Sequence, residues 1–178
     1  YSVIGIQCLN LAYHYPDVYW NTACLIVNAG ADEDVEVNKS TDYGKIATAI
    51  SNMQKRGINV SLPVINSTNF GFIPDEKNNR IIYSIKAING IGDDVARLLI
   101  KNRPYTSLED FCERMLDTKL IKNSQMIALI KAGCFTELHS QNRKETMKYF
   151  IMKYLIQPVQ KLTFAQFDRL MAYDDKYH

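Results

Sequence analysis

No apolar run in this sequence approaches the roughly 18–20 residues that a membrane-spanning helix needs, because Asn, Lys or Pro interrupts each one. A leader of basic, apolar and small residues is missing from the N-terminus as well. The expectation is a cytoplasmic protein with no membrane partner. Cysteine is scarce: Cys8, Cys24, Cys112 and Cys134 lie far apart among apolar residues. They offer neither a Cys-x-x-Cys pair nor a Cys/His cluster for zinc, and they are too sparse for a secreted disulfide scaffold. Buried, reduced thiols are the expected state. His14, His139 and His178 have no metal-ligand spacing, so no metal site is assigned. A strong excess of one charge is also absent. Lys and Arg number 21 against 19 Asp and Glu, a formal net charge of +2, whereas a protein that grips nucleic acid by charge alone is far more basic. Any contact with DNA has to come from a local patch, or from something larger to which this chain belongs.

Signatures of catalysis are missing too. No Gly-x-x-x-x-Gly-Lys-Ser/Thr loop occurs, and no Ser/His/Asp or Cys/His arrangement can be assembled. Two-metal phosphoryl transfer needs carboxylates that converge on ions about 4 Å apart. The acidic pairs here are Asp32/Asp34, Asp93-Asp94 and Asp174-Asp175. Adjacent residues point about 100° apart on a helix and to opposite faces of a strand, so neither doublet converges. Asp32 and Asp34 read as part of an acidic loop. No catalytic residue is assigned.

What is present is mostly helical pattern. The chain opens without Met, already in helical register, which suggests a piece of a longer polypeptide. Residues 1–15 read as an amphipathic helix with Val3, Ile6, Leu9 and Tyr13 on one face. Pro16 and Asp17 open a second helix carrying Val18, Tyr19, Trp20, Leu25 and Ile26. Tyr15, Tyr19 and Trp20 are expected in the core rather than on a base-stacking platform. A helix over 42–56, with Ile46, Ala49, Ile50 and Met53, ends at Gly57. Residues 58–65 read as extended, and 70–73 with 80–83 as a small β-hairpin about a polar turn. Ser107 with Asp110 opens a short helix, 117–122 is a connection, and Asn123 caps a helix running to Gly133. Met147, Phe150, Ile151, Tyr154 and Leu155 form an apolar stripe. Thr163 caps a last helix with Phe164, Phe167, Leu170 and Met171. The fold class is therefore mainly α, a helical bundle with a small β-hairpin.

One segment breaks the pattern. In Ile88-Asn89-Gly90-Ile91-Gly92-Asp93 two glycines bracket a single isoleucine, and each costs about 1 kcal/mol inside a helix. They fit a tight bend between two short helices, with Ile91 tucked inward. The bend leaves amides without intrahelical partners at the next helix start. Free N–H groups at the positive end of a helix dipole form a cradle for a phosphate oxygen. Asp93 and Asp94 repel such a ligand; Lys86, Arg97, Lys101 and Arg103 lie close enough to offset them.

The pattern apolar-x-Gly-apolar-Gly-x-x-x-Ala, ending at Ala96, resembles the helix-hairpin-helix motif, which binds the DNA sugar-phosphate backbone without reading sequence. A wider series of blocks is similar to the bacterial DNA polymerase III alpha subunit, the C-family replicase. Those blocks are Tyr1-Ser2-Val3-Ile4, Gln7-Cys8, Ala12-Tyr13, His14-Tyr15-Pro16, Tyr19-Trp20, Lys55-Arg56-Gly57-Ile58, and Leu62-Pro63-Val64-Ile65-Asn66-Ser67. The glycine segment follows, then Arg103-Pro104-Tyr105-Thr106-Ser107-Leu108-Glu109-Asp110-Phe111-Cys112 and Leu129-Ile130-Lys131-Ala132-Gly133-Cys134-Phe135. This resemblance, over about 1–145, implies a late fingers region (1–83), a tandem helix-hairpin-helix DNA-binding domain (84–135) and C-terminal helices (136–178). It implies DNA contacts at Lys86, Asn89, Gly90, Ile91, Gly92, Asp93, Arg97 and Lys101. A second hairpin over 117–123 would add Lys119 and Lys122, although it lacks the Gly-apolar-Gly pattern.

The implied partners are duplex primer-template DNA, the rest of the polymerase chain and, through the parent, a sliding clamp and other replisome subunits. Mg²⁺ belongs to the parent enzyme, a nucleotidyltransferase; this piece, lacking the palm carboxylates, is expected to be inactive alone. The Asn, Lys, Ile and Tyr content suggests an AT-rich bacterial or phage genome. Two other readings stay open: a free-standing helix-hairpin-helix repair or recombination protein, and a helical protein-interaction module that touches no DNA.

Overall fold

The computed structural model describes residues 1–31, 41–139 and 142–156, together with Thr163, Ala165 and Asp168. The acidic pairs Asp32/Asp34 and Asp174-Asp175 and most of the expected last helix lie outside these residues. The chain forms two compact units, Tyr1–Met147 and Lys148–His178.

The first unit opens with helices α1 (Ser2–His14), α2 (Asp17–Ala29) and α3 (Tyr43–Lys55). Pro16 separates the first two, and Gly30, left-handed at φ 60°, ends the second. The Asp42 carboxylate caps α3 by accepting from the Lys45 amide at 3.0 Å. Ile46 and Met53, seven residues apart on one face, are its buried side chains. A three-stranded sheet of order β1-β3-β2 follows, from β1 (Asn59–Ser61), β2 (Ile73–Asp75) and β3 (Arg80–Ile82). β2 and β3 form a hairpin as expected, with Ile73 opposite Ile82, but its first strand is Ile73–Asp75 rather than 70–73, because Phe70 and Phe72 are buried in the core ahead of the sheet. The extended segment adds β1 in parallel, Val60 opposite Ile81. Pro74 is tolerated because β2 is an edge strand.

Helices α4 (Asp93–Lys101), α5 (Leu108–Cys112) and α6 (Asn123–Ala132) complete the body of this unit. Ser107 caps α5, accepting from the Asp110 amide at 3.1 Å, while the Asp110 carboxylate accepts from the Thr106 amide at 2.9 Å. A widened turn over Glu113–Asp117 prolongs α5. The core between these helices holds Leu99, Leu108, Phe111, Met115, Met126, Leu129 and Phe135, all buried. Asn66 ties it to the sheet region by two hydrogen bonds with the Tyr105 backbone, 2.8 and 2.9 Å. In the second unit, the end of α7 (Arg143–Phe150) runs into a widened turn, Ile151–Leu155, where Phe150 stacks on Tyr154 at 5.8 Å.

Four expectations need correction. Helix α1 forms where expected but buries no residue: Val3, Ile6, Leu9 and Tyr13 are all exposed. It carries no Asp, Glu, Lys or Arg, so its apolar character runs round the whole cylinder rather than along one stripe. Tyr15, Tyr19 and Trp20 are exposed, not core. The inward face of α2 is Val18, Thr22, Leu25 and Ala29, and the 3.6-residue period turns Tyr19 and Trp20 away from it. Lys122, not Asn123, is the N-cap of α6, because the Gln125 carbonyl accepts from the Lys122 amide at 2.9 Å. Finally, only Cys112 and Cys134 are buried; Cys8 and Cys24 are half-exposed.

Burial pushes the Cys134 thiol up to about 12. Alkylation in mildly alkaline buffer is therefore expected to modify Cys8 and Cys24 first, and Cys134 only after denaturant is added. Mass spectrometry of a time course reads the order, since the thiolate is the reacting form.

Candidate nucleic-acid interface

The glycine segment is held from below by Ser84, a buried hydroxyl that donates to the Phe70 carbonyl at 2.5 Å and accepts from the Ala87 amide at 3.1 Å. Two successive turns follow, closed by Ile88 N–H to Ile85 O (3.2 Å) and Ile91 N–H to Ile88 O (3.0 Å). The helix expected before the glycines is absent. The chain leaves β3 only a few residues earlier, too little length to nucleate a helix before Gly90 bends it away. Ile85, Ile88 and Ile91 are buried and pin the bend by its apolar side, as expected for Ile91.

The two glycines do different things. Gly90 sits at φ 90°, a conformation that side-chain-bearing residues rarely adopt, with Ala128 of α6 3.8 Å from where its Cβ would be. Gly92 has an ordinary φ of −82°, and a Cβ there would meet nothing within 4 Å. Gly92 is the N-cap of α4, and no side chain caps it. Its carbonyl accepts the first helical bond, from the Ala96 amide at 2.9 Å. The amides of Gly92, Asp93 and Asp94 find no acceptor among the described residues. Asn89, Gly90 and Gly92 all face solvent. The cradle is open.

Of the charged residues expected around it, Lys86 is engaged: its ammonium is paired with the Asp93 carboxylate, and its side chain is only 14% exposed. That contact also neutralises one of the two carboxylates at the helix start. The Arg97 guanidinium lies over the Phe70 ring at 4.6 Å while its residue remains exposed. Lys101 is exposed on the last turn of α4. Arg103 is turned inward, donating to the Thr68 carbonyl.

The second hairpin repeats the design without glycine. Ile121 is buried like Ile91, one residue before an extended N-cap. Lys122 stands where Gly92 stands, at φ −91° and ψ 156°. The left-handed position falls on Lys119, at φ 59°, two residues before the isoleucine rather than one. Lys119 and Lys122 are both exposed. Sequence reasoning passes over Ser84, Gln125 and Ala128, which hold the two bends in shape. Only the Gln at the third helical position carries a recognisable signal, that of a capping box.

Carboxylates for a pair of Mg²⁺ ions do not gather here. Among the described residues no group of three or more His, Cys, Asp or Glu is placed to hold a metal. These residues do not fit a two-metal centre.

Two linked bends, each plugged by an isoleucine and each opening a helix, are the architecture of a helix-hairpin-helix domain. The helix-hairpin-helix motif family matches residues 57–146, half of the chain, and the chain belongs to it. Among full-length relatives it is 48% identical over 176 residues to the probable DNA polymerase YorL of Bacillus subtilis (strain 168), covering 96% of this chain and 13% of that protein. A DNA-directed DNA polymerase of Bacillus phage SPbeta matches to the same extent. The DNA polymerase III subunit alpha of Borreliella burgdorferi is 32% identical over 148 residues, 81% of this chain and 12% of that protein. The expected resemblance to DNA polymerase III alpha subunits thus holds, and the chain spans about 13% of the length of the Bacillus subtilis and SPbeta polymerases it matches. No helix among the described residues is long and apolar enough to cross a membrane.

Proposed function

We propose that this segment holds duplex primer-template DNA through sequence-independent contacts to the sugar-phosphate backbone, within a polypeptide that performs template-directed DNA synthesis. The observation that carries the reading is the open cradle of unpaired amides at Gly92, Asp93 and Asp94, where a Cβ on Gly92 would meet nothing within 4 Å. Phosphate oxygens suit unpaired amides at a helix N-terminus, and such contacts position a duplex without reading its bases. Lys119 and Lys122 offer a second grip from the neighbouring hairpin. The names of the relatives support placing the segment in a DNA polymerase; its place in the fingers and helix-hairpin-helix part, and the cytoplasm as its compartment, are part of the proposal. The palm, its Mg²⁺ and the sliding-clamp contacts belong to the rest of that polypeptide.

The unequal roles of the glycines give the test. Gly92→Val is expected to leave the unfolding free energy unchanged while weakening binding of a labelled duplex about tenfold, some 1.4 kcal/mol, in fluorescence anisotropy. Gly90→Val is expected to cost about 1–2 kcal/mol of stability through its positive φ. Undiminished binding by Gly92→Val would remove the cradle from the interface. The reading as a protein-only packing module draws on one observation, that Lys86 and Arg97 are already engaged within the chain. It predicts no duplex binding by the unmodified chain.

A further inference from the structure

Beside the first bend lies an open groove of about 550 Å³ that the duplex-holding reading leaves unused. Its walls include Tyr43 at the start of α3, Leu62, Tyr83, Ile88 of the bend, and Ile127 and Ala128 of α6. Its polar lining is Asn89, Ser124, Lys131 and Arg143. We propose that this groove seats an unpaired nucleotide of single-stranded DNA that continues from the duplex. The proposal rests on the hairpin reading and extends it from double to single strand.

Three features select this occupant. The first is charge: Lys131 and Arg143 are the charged side chains of the lining, and no Asp or Glu joins them. An anionic ligand suits that rim better than an apolar peptide does. The second is the wall, since stacking on aromatic faces beside a cationic track is how single strands are held without sequence preference. Tyr83 is fixed for that work: its hydroxyl donates to the Ala87 carbonyl at 3.4 Å, and Phe72 meets its ring edge-on at 5.0 Å. Tyr43 is exposed and available. The third is continuity. Asn89 belongs both to the bend and to the groove, and Ser124 lies in the first turn of α6, just beyond the second bend. A strand leaving either bend meets a groove-lining residue, Asn89 or Ser124, within a few positions of it.

Arg143 is preorganised for a phosphate. Its guanidinium donates to the Lys131 carbonyl at 3.0 Å, one of five N–H donors on that group. It lies over Gly133, where a Cβ would come within 3.0 Å of Nε. Glycine at the end of α6 thus serves two ends, the left-handed cap at φ 89° and the close seat for Arg143.

The test compares a blunt duplex with the same duplex carrying a single-stranded 5′ extension, 2-aminopurine being placed in the extension. The chain is expected to bind the extended form about tenfold more tightly, in line with stacking of one base, and to change 2-aminopurine emission on binding. Arg143→Ala and Tyr43→Ala are each expected to abolish that gain and leave blunt-duplex binding as it was. Tyr43 is a surface residue, so circular dichroism of its variant is expected to match the parent. Equal affinity for both duplexes with unchanged emission overturns the groove and spares the hairpin reading. A gain that survives both substitutions also overturns it. Failure to bind either DNA overturns both readings, and displacement of neither DNA but capture of an apolar peptide assigns the groove to protein.

Discussion

Phe111→Ala is expected to lower the unfolding free energy by about 3–5 kcal/mol, the usual cost of emptying a buried aromatic site. Phe111 has no exposed surface and stands between two other rings, Tyr105 at 4.7 Å and Phe135 at 4.9 Å. Neither neighbour is free to collapse into the space. The Tyr105 hydroxyl donates to the Leu99 carbonyl at 2.9 Å, its backbone is clasped by Asn66, and burial pushes its phenol up to about 12. Phe135 follows the Gly133 cap, and the Cys134 carbonyl just before it accepts from the Ile65 amide at 2.9 Å. A cavity that cannot close costs more than the lost transfer energy alone. Domains of this size hold only about 5–15 kcal/mol in total, so the variant is expected to sit near its melting point at physiological temperature. Urea unfolding reads the result: the midpoint falls and the slope stays. A loss under about 1 kcal/mol would mean that the three rings do not form one packed unit.

Those three aromatics also show why part of the fold was legible in sequence. Phe111 follows a serine cap and Phe135 follows a glycine cap, both local signals that sequence carries openly. Asp42, Gly57 and the second hairpin strand were readable for the same reason, as each depends on chemistry within a few residues. What escaped depends on distant partners. The parallel pairing of Val60 with Ile81 spans some twenty positions and leaves no periodic trace. Trp20 has the composition of a core residue, and only the orientation of α2 sends it outward. Helix α1 was legible as a helix, but its exposed faces follow from what packs against it, which its own letters do not contain.

The candidate site divides in the same way. Gly90-Ile91-Gly92 announced a bend, since two glycines around an apolar residue are costly anywhere else. Sequence alone gave both glycines one role; the backbone angles separate a conformational requirement at Gly90 from a clearance requirement at Gly92. The lysine at φ 59° in the second hairpin was illegible, because nothing about Lys119 as a letter marks a left-handed residue. Likewise, proximity in sequence placed Lys86 and Arg103 beside a phosphate, whereas Asp93 and the Thr68 carbonyl hold them. Charge near a cradle is useful only when it is unspent.

That distinction sets the size of the salt effect on DNA binding. Lys119 and Lys122 are exposed at the second bend, and Arg97 and Lys101 are exposed along α4 with no carboxylate paired to them, the stacking of Arg97 on Phe70 leaving its charge unspent, whereas Lys86 is neutralised by Asp93. If roughly four phosphates are neutralised, log affinity falls with log salt at a slope of about −3.6. Duplex binding is then expected to weaken on the order of a hundredfold between about 50 and 200 mM salt. Affinity at physiological salt falls in the non-specific range, weaker than about 10 μM. Anisotropy titrations at several salt concentrations give the slope directly. Lys119→Ala and Lys122→Ala are each expected to flatten it by about 0.9, one counterion apiece. Lys86→Ala is expected to weaken binding at every salt concentration by baring the Asp93 carboxylate, and to leave the slope nearly as it was, because the paired lysine releases no counterion from DNA. A slope near zero, or nanomolar affinity that ignores salt, would place the binding energy outside phosphate contacts. A slope that responds to Lys86 and not to Lys119 would move the interface from the two open bends to the flank of the sheet.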